Sequence, residues 1–173
     1  MKNKRILKSR GFTLIELMVV IAIIGMLSSV VLASLSSARV KARNVARNYE
    51  IEQLRSAFAL GVDSNGNLPS SGGSYACVSS SCYEGWSIYT ANSGVDAVIA
   101  PFIKKPVDPA GVGRGYGGFL YLDPSAWSGT ASFPPGYYLN WLLEAVPVTA
   151  NICGPGEYYD ATANYIQCLL RLK

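Results

Sequence analysis

From Leu17 to Ala38 the chain runs without a charged residue, and a helix of about 20 residues crosses roughly 30 Å of bilayer hydrocarbon. The run predicts a membrane-length helix. Beyond it the pattern changes. Ala42, Val45, Ala46, Tyr49, Leu54, Ala57 and Phe58 fall mostly three or four residues apart, the spacing of an amphipathic helix. No proline interrupts either pattern before Gly61. Together they predict one helix from Phe12 to Leu60, about 49 residues and roughly 70 Å long, apolar all round in its first half and striped in its second.

The next stretch, GVDSNGNLPSSGGSYACVSSSC from Gly61 to Cys82, is dense in Gly, Ser, Asn and Pro and predicts a loop. Short runs rich in aromatic and aliphatic residues follow between turn signals, notably GGFLYL and GYYLNWLLEA. They predict a small antiparallel sheet laid on the helix. The second run fits a strand throughout, or a strand that finishes as a helix. The fold class expected is α+β.

Composition changes this picture in two places. The net charge of +4 comes from the start of the chain, where Lys2, Lys4, Arg5, Lys8 and Arg10 precede Gly11 with no acid. Taking those five from fifteen bases leaves ten against eleven acids. A nucleic-acid binder clusters its bases on the folded part; here they flank the apolar run, which excludes nucleic acid as the main partner. Cys77, Cys82, Cys153 and Cys168 all follow that run. An even count in a small exported domain reads as disulfides formed in an oxidising compartment. Of the three connectivities, the most local joins Cys77 to Cys82 and Cys153 to Cys168.

Catalytic and metal chemistry find little footing. The chain has no histidine, which removes the commonest general base and the Ser-His and Cys-His nucleophile pairs. GRGYGG, Gly113 to Gly118, fits G-x-G-x-x-G in letters, but KKPVDPAGV precedes it where a dinucleotide site needs a strand. A turn is the better reading. The cysteine gaps lack the paired C-x2–4-C spacings that tetrahedral zinc sites draw on, except that Cys77 and Cys82, with four residues between them, come close. Asp63, Asn65 and Asn67 alternate as in a calcium loop, yet Leu68 stands where an EF-hand needs glycine. Tyr116, Tyr121, Trp127, Tyr137, Tyr138 and Trp141 could stack on sugars or bases, although such residues more often line a small sheet's core. The expectation is a protein that is not an enzyme and takes no cofactor or metal.

One residue breaks the apolar pattern: Glu16, at the edge of the run, where an acid costs energy and is seldom without a partner. The basic leader ending in Gly11 followed by FTLIELMVVIAIIG closely resembles the processing signature of type IV pilins and type II secretion pseudopilins. That resemblance implies a cut by prepilin peptidase between Gly11 and Phe12, N-methylation of Phe12, and retention of the apolar helix. It also implies that Glu16 pairs with the Phe12 amine of a neighbouring subunit. Ala33 stands where many family members carry a helix-loosening proline. A weaker similarity, in KKPVDP…GGFLYL…GYYLNWLLE, links the head to the pseudopilin and Gram-positive-type pilin subgroup.

The implied organisation is a cleaved leader at 1–11, a transmembrane and filament-core helix at 12–38, its amphipathic continuation at 39–60, and a globular head at 61–173. The implied function is a structural subunit of a type IV pilus or a type II secretion pseudopilus. Its partners would be other pilins in a homo- or hetero-polymer, prepilin peptidase, the inner-membrane assembly machinery and, before assembly, membrane lipid. The head would face outside the cytoplasm, and the filament would be extracellular or periplasmic. Arg39 to Arg47 and the acidic head could attract each other between subunits. A different class stays open: Ser36-Ser37-Ala38 could serve signal peptidase, releasing a secreted ligand-binding or adhesive domain that begins at Arg39.

Overall fold

The computed structural model describes residues 11–84, 87–109, 112, 115 and 117–173. The elements in chain order are α1 (Leu14–Asn65), β1 (Ala76–Cys77), β2 (Cys82–Glu84), β3 (Ser87–Tyr89), α2 (Ser93–Ile99), β4 (Phe119–Leu122), β5 (Tyr138–Glu144), β6 (Glu157–Ala161) and β7 (Tyr165–Arg171). The fold is α+β: a long N-terminal helix packed against a small antiparallel sheet, a pilin-like layout. The chain divides into two compact units, through Arg39 and from Val40 onward.

The first unit is the start of α1. Its large apolar side chains, from Leu14 to Leu35, are exposed, and the best 18-residue window has a mean hydropathy of 2.6 with none of it buried. By length and composition this helix can cross a membrane. It continues through Ala33 without a break in its backbone, as expected where no proline removes a helical N–H.

In the second unit, α1 differs from the predicted helix at its end and on its face. It runs through Gly61 and stops at Asn65. Gly61 is a close-approach residue, not a terminator: a Cβ there would lie 2.4 Å from Val98 Cγ1. Termination falls to Gly66, whose positive φ of 82° suits a residue without a Cβ and whose N–H reaches Val62 O at 2.6 Å. Asp63 and Asn65, expected in the loop, are therefore helical.

The buried stripe is also rotated from the predicted one. Asn44, Arg47, Ile51, Leu54, Phe58 and Gly61 are buried, whereas Ala42, Val45, Ala46 and Tyr49 are exposed. The three-four spacing was right for Leu54, Ala57 and Phe58. It failed upstream, where the helix buries polar side chains against a polar end of the sheet.

The main sheet has the order β1-β4-β5-β7-β6 with every neighbour antiparallel, and β2 and β3 form a separate pair. GYYLNWLLEA is strand through Glu144. Alternation sorts its residues: Phe119, Tyr121, Leu139, Trp141, Leu143, Ile166, Cys168 and Leu170 join Ile51, Leu54 and Phe58 in the main core, as a period of two requires. Leu120, Leu122, Tyr138 and Leu169 face the other way into a second cluster roofed by Tyr75, Tyr89, Trp127, Phe133 and Tyr159. The predicted loop from Gly61 holds β1, and a helix not foreseen, α2, starts at Asn92, whose Oδ1 accepts from the Gly94 and Val95 N–H groups.

Candidate assembly segment and the charged seam of the head

Residues Gly11 and Phe12 lie ahead of α1 in exposed, non-helical backbone, with Phe12 87% exposed. A peptidase needs an extended, reachable peptide bond, and this one is not locked in a helix. Thr13 opens the helix: its carbonyl accepts the first intrahelical bond, from Leu17 N at 3.3 Å. Thr13 N donates to Glu16 Oε2 at 2.8 Å, Thr13 Oγ1 donates to the same oxygen at 2.8 Å, and Glu16 N donates to Thr13 Oγ1 at 3.3 Å. This is a reciprocal capping box, in which two otherwise unpaired N–H groups are satisfied by side chains.

Glu16 thus has hydrogen-bond partners in its own chain, which a reading based on a lone carboxylate near lipid did not foresee. The T-x-x-E spacing ahead of an apolar run was the available signal. The box lowers the cost of the carboxylate but does not neutralise its charge. Oε1 has no partner among the described residues, so one oxygen remains for an external cation.

The head holds a second arrangement that the sequence did not reveal. Arg47 is fully buried; its Nε donates to Asp108 Oδ1 at 2.9 Å, and its Nη1 donates to Glu144 Oε1 and Asn44 Oδ1, both at 3.2 Å. Arg43 grips the same Glu144 through two nitrogens, Nη2 to Oε2 at 2.6 Å, the bidentate geometry that makes arginine–carboxylate pairs strong. Asn44 clamps the Glu144 backbone from both sides, Nδ2 to O at 3.0 Å and N to Oδ1 at 2.9 Å. Asn48 accepts from Trp141 Nε1 at 2.9 Å and donates to Ile152 O at 2.9 Å.

Arg43 and Arg47 are therefore engaged within their own chain, so two of the bases expected to attract a neighbouring head are engaged inside this one. The Arg43 hydrogen bond holds the Glu144 carboxyl below its ordinary range; burial opposes this and Arg47 reinforces it.

A buried carboxylate at the end of β4 ties the loop before β1 to the sheet. Asp123 accepts from Ser70 Oγ, Ser71 N, Ser71 Oγ, Ser125 N, Ser125 Oγ and Ala126 N, at 2.7 to 3.1 Å. Burial pushes this carboxyl up, but the bonds from Ser125, Ser71 and Ser70 outweigh it and hold it well below the carboxylate range. Among the described residues its donors are hydroxyls and backbone amides, with no base, and the cluster is a structural tie.

The cysteines pair as Cys77–Cys82 and Cys153–Cys168. Among the described residues no group of three or more His, Cys, Asp and Glu side chains could hold a metal ion. Tyr121, Tyr138 and Trp141 are buried in the two clusters; Trp127 and Tyr137 are half-buried, and Tyr116 lies outside the described residues, as do Gly113, Arg114 and the leader before Gly11. Gly118 does not cradle a phosphate. At a φ of 90°, its missing Cβ makes room for Ser81 O, 2.3 Å from where a Cβ would sit.

A long helix whose first turns expose apolar side chains all round, together with a small antiparallel sheet, is a pilin-like layout. Residues 6–32 match the family model described as the prokaryotic N-terminal methylation motif, and the chain thus carries the signature of type IV pilins and pseudopilins. Neither a curated protein nor a solved structure matches the chain.

Proposed function

We propose that the chain is a structural subunit of a type IV pilus or type II secretion pseudopilus, cut by prepilin peptidase between Gly11 and Phe12 and methylated on the Phe12 amine. In this reading residues 1–11 are removed, 12–38 become the filament core, 39–60 carry the helix onto the head, and 61–173 form that head outside the cytoplasm. The single observation that carries it is the methylation motif over residues 6–32; the exposed Gly11–Phe12 bond ahead of the Thr13 cap supports it.

Before assembly the apolar turns of α1 sit in the inner membrane. Moving them from lipid into a helix bundle gains little hydrophobic energy, so packing and polar pairing supply the difference. The free oxygen of Glu16 meeting the Phe12 amine of a neighbour is the polar contribution. Replacing Glu16 with leucine leaves that amine buried without a partner, which is costly in an apolar bundle.

Two measurements test the reading. Intact mass of the protein from cells holding the peptidase should correspond to a methylated Phe12 start; a start at Arg39 would instead identify a secreted domain. Glu16→Leu should still insert in the membrane and be cut, yet give few or no filaments by electron microscopy. Filament numbers equal to wild type would remove the role assigned to Glu16.

A further inference from the structure

On the outer face of the sheet, where β6 begins, lies a cavity of about 220 Å³. The ladder between β6 and β7 starts at Glu157↔Leu169, while β7 continues to Arg171 against β5. Beyond Leu169, β7 therefore has no strand on its β6 side. Pro155 and Gly156 turn the chain away there, and proline has no N–H to extend the ladder. The gap is the cavity.

Register places two opposite charges on its rim. Arg171 faces Tyr138 across β5 and lies two residues from Leu169, which faces Glu157 across β6. In an antiparallel sheet these four side chains share one face. Glu157 and Arg171 are both exposed, and neither forms an ion pair or side-chain hydrogen bond among the described residues. Ser132 adds a hydroxyl, and Phe133, Pro134 and Pro155 give the remaining wall apolar C–H and ring surface.

The wall is held in place before any ligand arrives. Tyr138 OH donates to Pro134 O at 2.7 Å. The Phe133 ring stands edge-on to Tyr138 and Tyr159, with centroids 6.4 and 5.4 Å apart. Gly156 N donates to Cys153 O at 3.1 Å, beside the Cys153–Cys168 disulfide.

We propose that this cavity binds a single monosaccharide-sized polyol ring. The volume is below the roughly 300 Å³ at which drug-sized ligand pockets begin, a size that suits one ring. The two rim charges cancel, which disfavours an ion of either sign. A neutral hydroxylated ring matches the rim because its hydroxyls donate to the Glu157 carboxylate and accept from the Arg171 guanidinium. Its C–H face suits the Phe133 and proline surface, a polar-edged, apolar-faced shape that neither a hydrocarbon nor a simple ion presents. The proposal goes beyond the filament reading and does not depend on processing or assembly.

The test uses the full chain purified in a zwitterionic detergent that contains no sugar. Saturation-transfer NMR would be recorded with D-glucose, D-galactose and N-acetyl-D-glucosamine at about 20 mM, because so few contacts support only millimolar affinity. At least one sugar should show transfer and weaken about tenfold or more in Glu157→Gln, while Glu52→Gln, at a different surface, leaves it unchanged. Glu157 is exposed, so its amide variant should fold; Phe133→Ala, checked by circular dichroism, should weaken binding as well. Absence of transfer from all three sugars would overturn the proposal. So would transfer that persists in the Glu157→Gln/Arg171→Gln double variant, or tighter binding of glycine, whose opposite charges match the rim, than of any sugar.

Discussion

Replacing Arg47 with methionine keeps an unbranched side chain and a good helix former while removing a fully buried charge in the head. Three acceptors lose a donor: Asp108, Glu144 and Asn44. Asp108 retains the Gly118 N–H at 2.8 Å, and Glu144 retains Arg43. Breaking a buried pair by deleting one partner costs about 3–5 kcal/mol. The two carboxylates are 9% and 17% exposed, so water reaches them and the lower end applies, about 3 kcal/mol. For a domain of this size that corresponds to a fall in Tm of roughly 10–15 °C.

The assay is thermal unfolding of the full chain in micelles, followed by near-ultraviolet circular dichroism with the disulfides intact. The double variant Arg47→Met/Asp108→Asn should regain about 1 kcal/mol over Arg47→Met alone, since it removes the carboxylate charge that has lost the Arg47 cation while Arg43 still pairs with Glu144. A fall of less than about 3 °C in Arg47→Met would refute the claim that this ion cluster holds the helix to the head. A double variant less stable than Arg47→Met would show that lost packing, not the carboxylate charge that has lost Arg47, sets the cost.

Three further outcomes are expected. Cys153→Ser with Cys168→Ser opens a bridge between residues 15 apart and should lower stability by about 3 kcal/mol, measurable by urea unfolding; no change would mean the bridge adds nothing to the fold. Gly118→Ala places a methyl 2.3 Å from Ser81 O at a φ of 90° and should cost at least about 1–3 kcal/mol, read as a lower Tm, whereas Gly66→Ala, with open space around its Cβ, should cost only about 1 kcal/mol for its positive φ. Stability should fall with acid: the carboxyls of Glu144 and Asp123 are lowered in the folded chain, so their contribution is whole above about pH 5 and is lost as pH drops through their folded values. A Tm flat from about pH 6 to about pH 3 would contradict both assignments.

Local pattern was enough for the parts of this protein that act locally. An apolar run of membrane length and the class of the fold follow from composition and spacing, because a helix needs only its own residues to satisfy its backbone; the motif around Gly11 was legible through its resemblance to the pilin and pseudopilin signature. The strands GGFLYL and GYYLNWLLEA were visible for the same reason, since alternation is a property of the strand alone. Even the Glu16 cap was written in T-x-x-E.

What the tertiary structure decided was which face each element buries and where α1 stops. Spacing favoured Ala42, Val45, Ala46 and Tyr49 as the buried stripe because they are apolar, yet α1 turns Asn44, Arg47 and Asn48 inward. Those polar groups are stable there only because Glu144, Asp108, Ile152 O and Trp141 Nε1, about 60 to 100 residues away in sequence, converge on them, since a buried polar group is tolerated only with its partners in place. Gly61 leaves the room that Val98 fills, and the cavity at Glu157 and Arg171 exists because one strand ends before its neighbour. Each depends on partners distant in the chain, which no local pattern of hydrophobic and polar residues can specify.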